Sequence, residues 1–403
     1  MPEPGFRHPI NRRSGPLLLA LLSLLLSPLA GADATARFLA QHWQRPVPPP
    51  GAAPAHYSQL EASLDPDDCG SCHPKQRQDW GDSLHSRAMG PGLMGQLIDM
   101  PAHARDEHQS CIRCHAPLAE QADALAAEIA GAASAAGLHR RGVVCAACHV
   151  RQQHRFGPPR RDGSAPAPDQ PLPHNGWQAS DAFADSRFCA SCHQFEPGDF
   201  ALNGKLLENT YNEWLESPYA AQQITCQRCH MPDRQHRWKG IHDRDTVRAG
   251  VTLSAKLDGA PAPEVRATLT LSNSATGHRF PTYVTPQVVL EGYQAGADGE
   301  PIAGTEAYFV VARRIALDLS EEIFDTRLAP GEAATLDYNH PRAPDASTLV
   351  LRVWVQPDFF YEQFYQSLLD SGQTQRGRRD LSRALTTARG SVYTLYERRL
   401  PLN

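Results

Sequence analysis

The alternation of apolar and polar positions changes character once along the chain, near His242. Beyond it, residues 247–257 and 265–273 alternate apolar with polar side chains, the period of a strand with one buried face. Further strands are expected at residues 287–293, 307–311, 334–338 and 347–355, separated by Gly, Pro, Asn and Asp turns. Such spacing predicts an antiparallel sandwich. Residues 359–369 and 381–388 carry a helical pattern, and residues 392–396 read as a last strand able to return to the sheet.

Before His242 regular periodicity is scarce. The chain holds 34 Pro against 29 Gly, and the runs at residues 46–50 and 158–173 are extended linkers rather than helix or strand. One clear helix is expected over residues 118–138, rich in Ala and Leu with Glu120 and Glu128. At that length it would span about 30 Å. At the N-terminus, Arg7, Arg12 and Arg13 precede an apolar run over residues 17–30 and small residues around Ala30, Ala32 and Ala34. This reads as a secretory signal peptide of residues 1–32, its apolar run being shorter than the ~20 residues of a membrane-spanning helix. Removing it takes away three basic groups and one acidic group, so the formal charge moves from −5 to −7. A mildly acidic chain without a basic stripe argues against nucleic acid as a partner.

All ten cysteines fall in one five-residue word: Cys69-Gly-Ser-Cys72-His73, Cys111-Ile-Arg-Cys114-His115, Cys145-Ala-Ala-Cys148-His149, Cys189-Ala-Ser-Cys192-His193 and Cys226-Gln-Arg-Cys229-His230. Chance would supply roughly 0.01 such words in this composition. Two thiols two residues apart reach the two vinyl groups of one porphyrin, and the adjacent imidazole then faces the iron, so each word is a site for covalently attached haem c. Structural zinc would leave the histidine of each word unexplained and five units unevenly paired, and a disulfide framework does not need that histidine either. Five haems within residues 69–230 make the macrocycles themselves much of the interior, with short helices as props.

Each iron has a second face. Outside the leader and the five words, twelve histidines remain, against four methionines, so mostly bis-histidine ligation is expected. His85, twelve residues beyond His73, is placed to cap a neighbouring haem rather than its own. His139, at the far end of the expected helix, is either a ligand reaching across or an exposed helix-end histidine. His174 lies on a loop before the fourth word, and at least one of His236 and His242 should be a ligand. His278, between Gly277 and Arg279-Phe280-Pro281-Thr282, sits on a loop of the sandwich that can press it onto a haem or simply bond its own turn. His103, His108 and His154 read as loop histidines.

These residues resemble multihaem c-type cytochromes, particularly the tetrahaem electron carriers of nitrifying bacteria and their wider relatives, over about half of the chain. The first word with Trp80, Ser83, His85 and Ala88-Met89 is similar to that family's first haem segment, in which the second histidine is a distal ligand. Tyr211-Asn-Glu-Trp214, Ser217-Pro218, residues 226–232, His236 and His242 look like a recurrent last-haem segment. The 277–282 stretch is similar to a loop of sandwich domains attached to such cytochromes, with Tyr283 standing where glycine is commoner. The tetrahaem relatives have one haem fewer, and some leave one iron without a distal protein ligand. Pentahaem nitrite reductases share the haem count but carry a lysine in one word, whereas all five words here end in histidine.

The expectation is therefore an α+β protein. A leader (1–32) precedes a loop-rich, mainly helical pentahaem domain (33–245), a β-sandwich (246–357) and a helical tail with a terminal strand (358–403). Its expected role is electron relay in the periplasm between redox partner proteins, with no transmembrane segment once the leader is removed. Two other readings stay open. One is an enzyme whose single five-coordinate haem takes a small nitrogen or sulfur compound; the other is a subunit of a cytochrome filament.

Overall fold

The computed structural model describes residues 29–132, 137–165, 171–259 and 263–402, so the expected leader lies almost wholly outside the described residues. Up to Gly250 the chain is a succession of short helices joined by turns and two- to four-residue strand fragments. Proline sets much of this rhythm. It opens the helices Pro66–Gly70, Pro74–Asp82, Pro91–Leu97 and Pro218–Ala221, because its fixed φ suits a first helical turn and its missing N–H forbids a helix running through it.

The helix expected over residues 118–138 is shorter, Ala119–Ile129, about 16 Å long. Gly131, at φ +81°, takes the left-handed conformation that ends helices, and Leu118 is extended, bridged to Val47. A strand expected from residue 247 instead begins at Val251. The Asp243 carboxylate accepts the Thr246 N–H at 2.8 Å and caps a helix, Arg244–Gly250, whose Val247 buries on the same core as Val251 one turn later.

Two antiparallel sheets follow. Strands β1 (Val251–Gly259), β2 (Glu264–Asn273), β3 (Gln287–Ala295), β4 (Ala307–Val311), β5 (Ala333–Pro341), β6 (Thr348–Gln356) and β7 (Tyr393–Pro401) form one sheet in the order β5-β2-β1 and another in the order β7-β6-β3-β4. β2 alternates buried and exposed residues, and its inward Val265, Ala267, Leu269 and Leu271 meet Leu349, Leu351, Val353 and Val355 of β6 in one shared core. The terminal strand returns to the sheet beside β6, as its pattern predicts. A short hairpin, Arg313–Ile315 with Glu322–Asp325, escapes the alternation rule because it is too brief to show it.

The C-terminal tail reaches back to the helical half. Helix Arg378–Gly390 lies on Pro91–Leu97, with Gly377 so close to Gly95 that an added Cβ would sit 1.9 Å from the Gly95 carbonyl oxygen. The Asp99 carboxylate accepts the N–H groups of Gln375, Arg376 and Gly377 at 2.9–3.0 Å. Leu351 is fully buried at the centre of the shared core. Leu351→Ala should cost about 2–5 kcal/mol, read as a lower urea midpoint by circular dichroism; a cost below about 1 kcal/mol would contradict a continuous core.

Candidate haem-binding sites

Each attachment word is a turn of helix or follows one. Arg105–His115, Cys145–His149, Arg187–His193 and Cys226–His230 end on the histidine, while His73 stands between Pro66–Gly70 and Pro74–Asp82. One helical turn puts residues i, i+3 and i+4 on one face, which aims both sulfurs and the imidazole at a single group. Words distant in sequence are neighbours in space. Cys69 and Cys145, Cys114 and Cys192, and Cys189 and Cys226 lie within hydrogen-bonding reach of one another.

Opposite most of the word histidines stands a second ring. His85 lies 6.2 Å from His193 between ring centres, His236 lies 6.1 Å from His149, and His278 lies 6.3 Å from His230. An iron held by two imidazole nitrogens at about 2.0 Å each, with about 1.2 Å from nitrogen to ring centre, sets a span of about 6.4 Å. The three pairs fit that group. His174 comes close enough to His73 to lower its proton affinity, and its φ of +43° is a costly backbone state for a non-glycine residue, held by Glu61 on its N–H at 2.7 Å.

The protonation pattern suits ligation. Burial holds His85 down to about 3 and His149, His193 and His278 down to about 4, so these rings stay neutral at physiological pH. Backbone carbonyls fix the tautomer: Nδ1 of His115, His149, His174, His230, His236 and His278 bonds the carbonyls of Ala88, Phe156, Gly176, Lys239, Arg234 and Arg279 at 2.7–3.0 Å. Nε2 is left bare on each. A low proton affinity alone does not mark a ligand. His42 is also held down to about 3, yet its Nε2 is taken by the Cys148 carbonyl at 2.8 Å.

Two sequence candidates stand elsewhere. His139 is buried rather than exposed, and its Nε2 meets the Glu128 carboxylate at 2.5 Å, beside Arg140. His242 lies 3.0 Å from both carboxylate oxygens of Asp358. His108, read as a loop residue, is a buried helical one. Among the described residues no second histidine ring stands opposite His115 as one does for His149, His193 and His230.

The His278 loop is held by a buried network around Glu213 and Arg327. Glu213, on helix Thr210–Leu215, accepts the Arg279 N–H at 3.1 Å and the Thr282 hydroxyl at 2.8 Å, while Arg327 binds the same carboxylate at 2.9 Å and the Thr282 carbonyl at 2.8 Å. Arg327 and Glu213 are both nearly inaccessible, so Glu213 depends on Arg327 for its pairing, while Arg327 is also bound by Asp325. Asn273 and Thr276 tie down the His278 carbonyl. Between two of the distal rings lies Trp238, edge-on to His85 at 4.5 Å and to His236 at 5.2 Å, with φ at +40°.

Residues 68–150 match the family model described as cytochrome c554 and c-prime. The fold is similar to the crystal structure of a penta-heme cytochrome c552 from Thermochromatium tepidum, with a TM-score of 0.56, 16% identity, and coverage of 85% of this chain and 100% of that one. No curated protein matches the chain. With attachment words spread along a fold of this kind, the chain is similar to multihaem c-type cytochromes over residues 68–150 and in its fold, and it carries a C-terminal β domain.

Proposed function

We propose that the protein, after export to the periplasm, relays electrons between redox partner proteins through five covalently attached haems c. The observation that carries this reading is the set of opposed histidine rings, His149 with His236, His193 with His85 and His230 with His278, with His174 near His73. The haems supply reversible one-electron chemistry when bound. The chain's own groups do the rest. Histidines on both faces leave the irons so held no free position for a substrate, carbonyls on Nδ1 strengthen His149, His230 and His278 as donors, and neighbouring sulfurs set the words side by side for short electron steps. Among the described residues no helix is long and apolar enough to cross a membrane.

A second reading is favoured by one observation. His115 has its Nδ1 fixed by the Ala88 carbonyl, but no histidine ring faces it among the described residues. That position would admit a small nitrogen or sulfur compound, making the relay feed one open site.

Spin-resonance and optical spectra of the purified protein should show four low-spin irons and one high-spin iron that binds cyanide or nitric oxide. Five low-spin irons would remove the second reading, and mainly high-spin iron would remove the first. Intact mass should exceed that of the mature chain by five haem increments, with a smaller number ruling out full attachment. His278→Ala should convert one low-spin iron to high spin, whereas His139→Ala should leave every spectrum unchanged and lower stability by about 1–3 kcal/mol through the lost buried hydrogen bond to Glu128, which keeps Arg140; the reverse outcome would exchange their roles.

A further inference from the structure

We propose that Glu208 is a proton-binding site coupled to the electron at the haem of the fourth word, through a hydrogen-bonded line of Thr210 and Tyr283 ending on His193. The inference rests on the relay reading, since it takes His193 as an axial ligand.

His193 differs from the other rings whose Nδ1 contacts are described above: its partner is not a carbonyl but the Tyr283 hydroxyl, at 2.7 Å. A ring that ligates through Nε2 carries its proton on Nδ1, so the phenol oxygen accepts there and its own single proton points onward. It goes to Thr210, with which Tyr283 is hydrogen-bonded.

The hydrogen count at Thr210 then identifies the carboxyl that titrates. Its hydroxyl lies 2.9 Å from Glu208 Oε1 and 2.8 Å from Thr282 Oγ1, while Thr282 donates to Glu213 at 2.8 Å. Thr210 has one proton for two neighbours. If Glu208 is protonated it donates to Thr210, Thr210 donates to Thr282, and every link from His193 to Glu213 has its hydrogen. If Glu208 is ionised, Thr210 turns toward it, and the 2.8 Å contact between the threonine oxygens has a proton only if Thr282 gives up its bond to Glu213. The geometry therefore favours the neutral acid.

Charges nearby agree. Burial pushes Glu208 up to about 8, with the Glu213 carboxylate adding to the rise. Glu213 itself is held by Arg327. Tyr361 and Tyr283 also face Glu208, and Asp358, beside Tyr361, is bonded by His242. Cys114, the other group close to Glu208, is a thioether in the assembled protein and does not titrate. Above about pH 8, where Glu208 has lost its proton, it takes one back from water as one electron enters from the donor protein: one O–H bond forms and the donor is oxidised by one electron. Because reduction raises the proton affinity of Glu208, the midpoint potential should be level below about pH 8 and fall as pH rises beyond it.

The test is a redox titration of the full holoprotein between about pH 6 and pH 10, followed in the α-band, for wild type, Glu208→Gln and Tyr283→Phe. One component should fall in potential with rising pH in wild type, lose that dependence in Glu208→Gln, and show a weakened dependence in Tyr283→Phe. Reduced-minus-oxidised infrared spectra should carry a protonated-carboxyl band that Glu208→Gln removes. A wild-type potential independent of pH, or a slope and band that survive Glu208→Gln, would overturn the proposal. His193→Ala separates it from the relay reading: an unchanged low-spin spectrum there would mean that the ligand assignment itself had failed, and the coupling with it.

Discussion

Everything in this molecule is arranged around a gap of about 6 Å between imidazole rings. An axial histidine is useful only if its nitrogen is bare, neutral and a fixed distance from its counterpart, and none of those conditions arises from local sequence. The word histidines are aimed by a helical turn, but their counterparts come from a 3-10 turn at His85, a strained loop at His174, an irregular stretch at His236 and a β-domain loop at His278. The fold solves a spacing problem with parts drawn from nearly the whole chain.

The β half contributes more than a cover. Its core positions the loop after β2, and the Glu213–Arg327 pair, buried between the two halves, fixes that loop against the helix bearing Glu213. A buried pair of this kind gains little net stability, since desolvation offsets the attraction, but it is costly to break and therefore specifies one docking geometry. The tail helices repeat the arrangement on the other side, where Asp99 receives three backbone N–H groups.

Local chemistry was legible and tertiary pairing was not. The five words could be read because spacing alone brings two sulfurs and a ring onto one group. Most strands could be read because a half-buried strand has period two, as β2 shows residue by residue. The helix after Leu118 was overestimated because composition outweighed the chain reversal at Gly131, and the strand at residue 247 because alternation concealed the Asp243 cap. His139 and His242 had suitable positions in sequence, yet carboxylates eleven and 116 residues away took them. Glu213 and Arg327 are ordinary charged residues until the fold encloses them.

The contacts among the words also give the molecule a branching plan. The fourth word touches the second through Cys192 and Cys114 and the fifth through Cys189 and Cys226, and both its sulfurs feel Cys148 of the third, which in turn leads by Cys145 to Cys69 of the first. It is thus an articulation point: remove it and the remaining centres separate into isolated clusters. Among these sulfur contacts the second and fifth words meet the rest only through the fourth, so any change at His193 falls on the word they share.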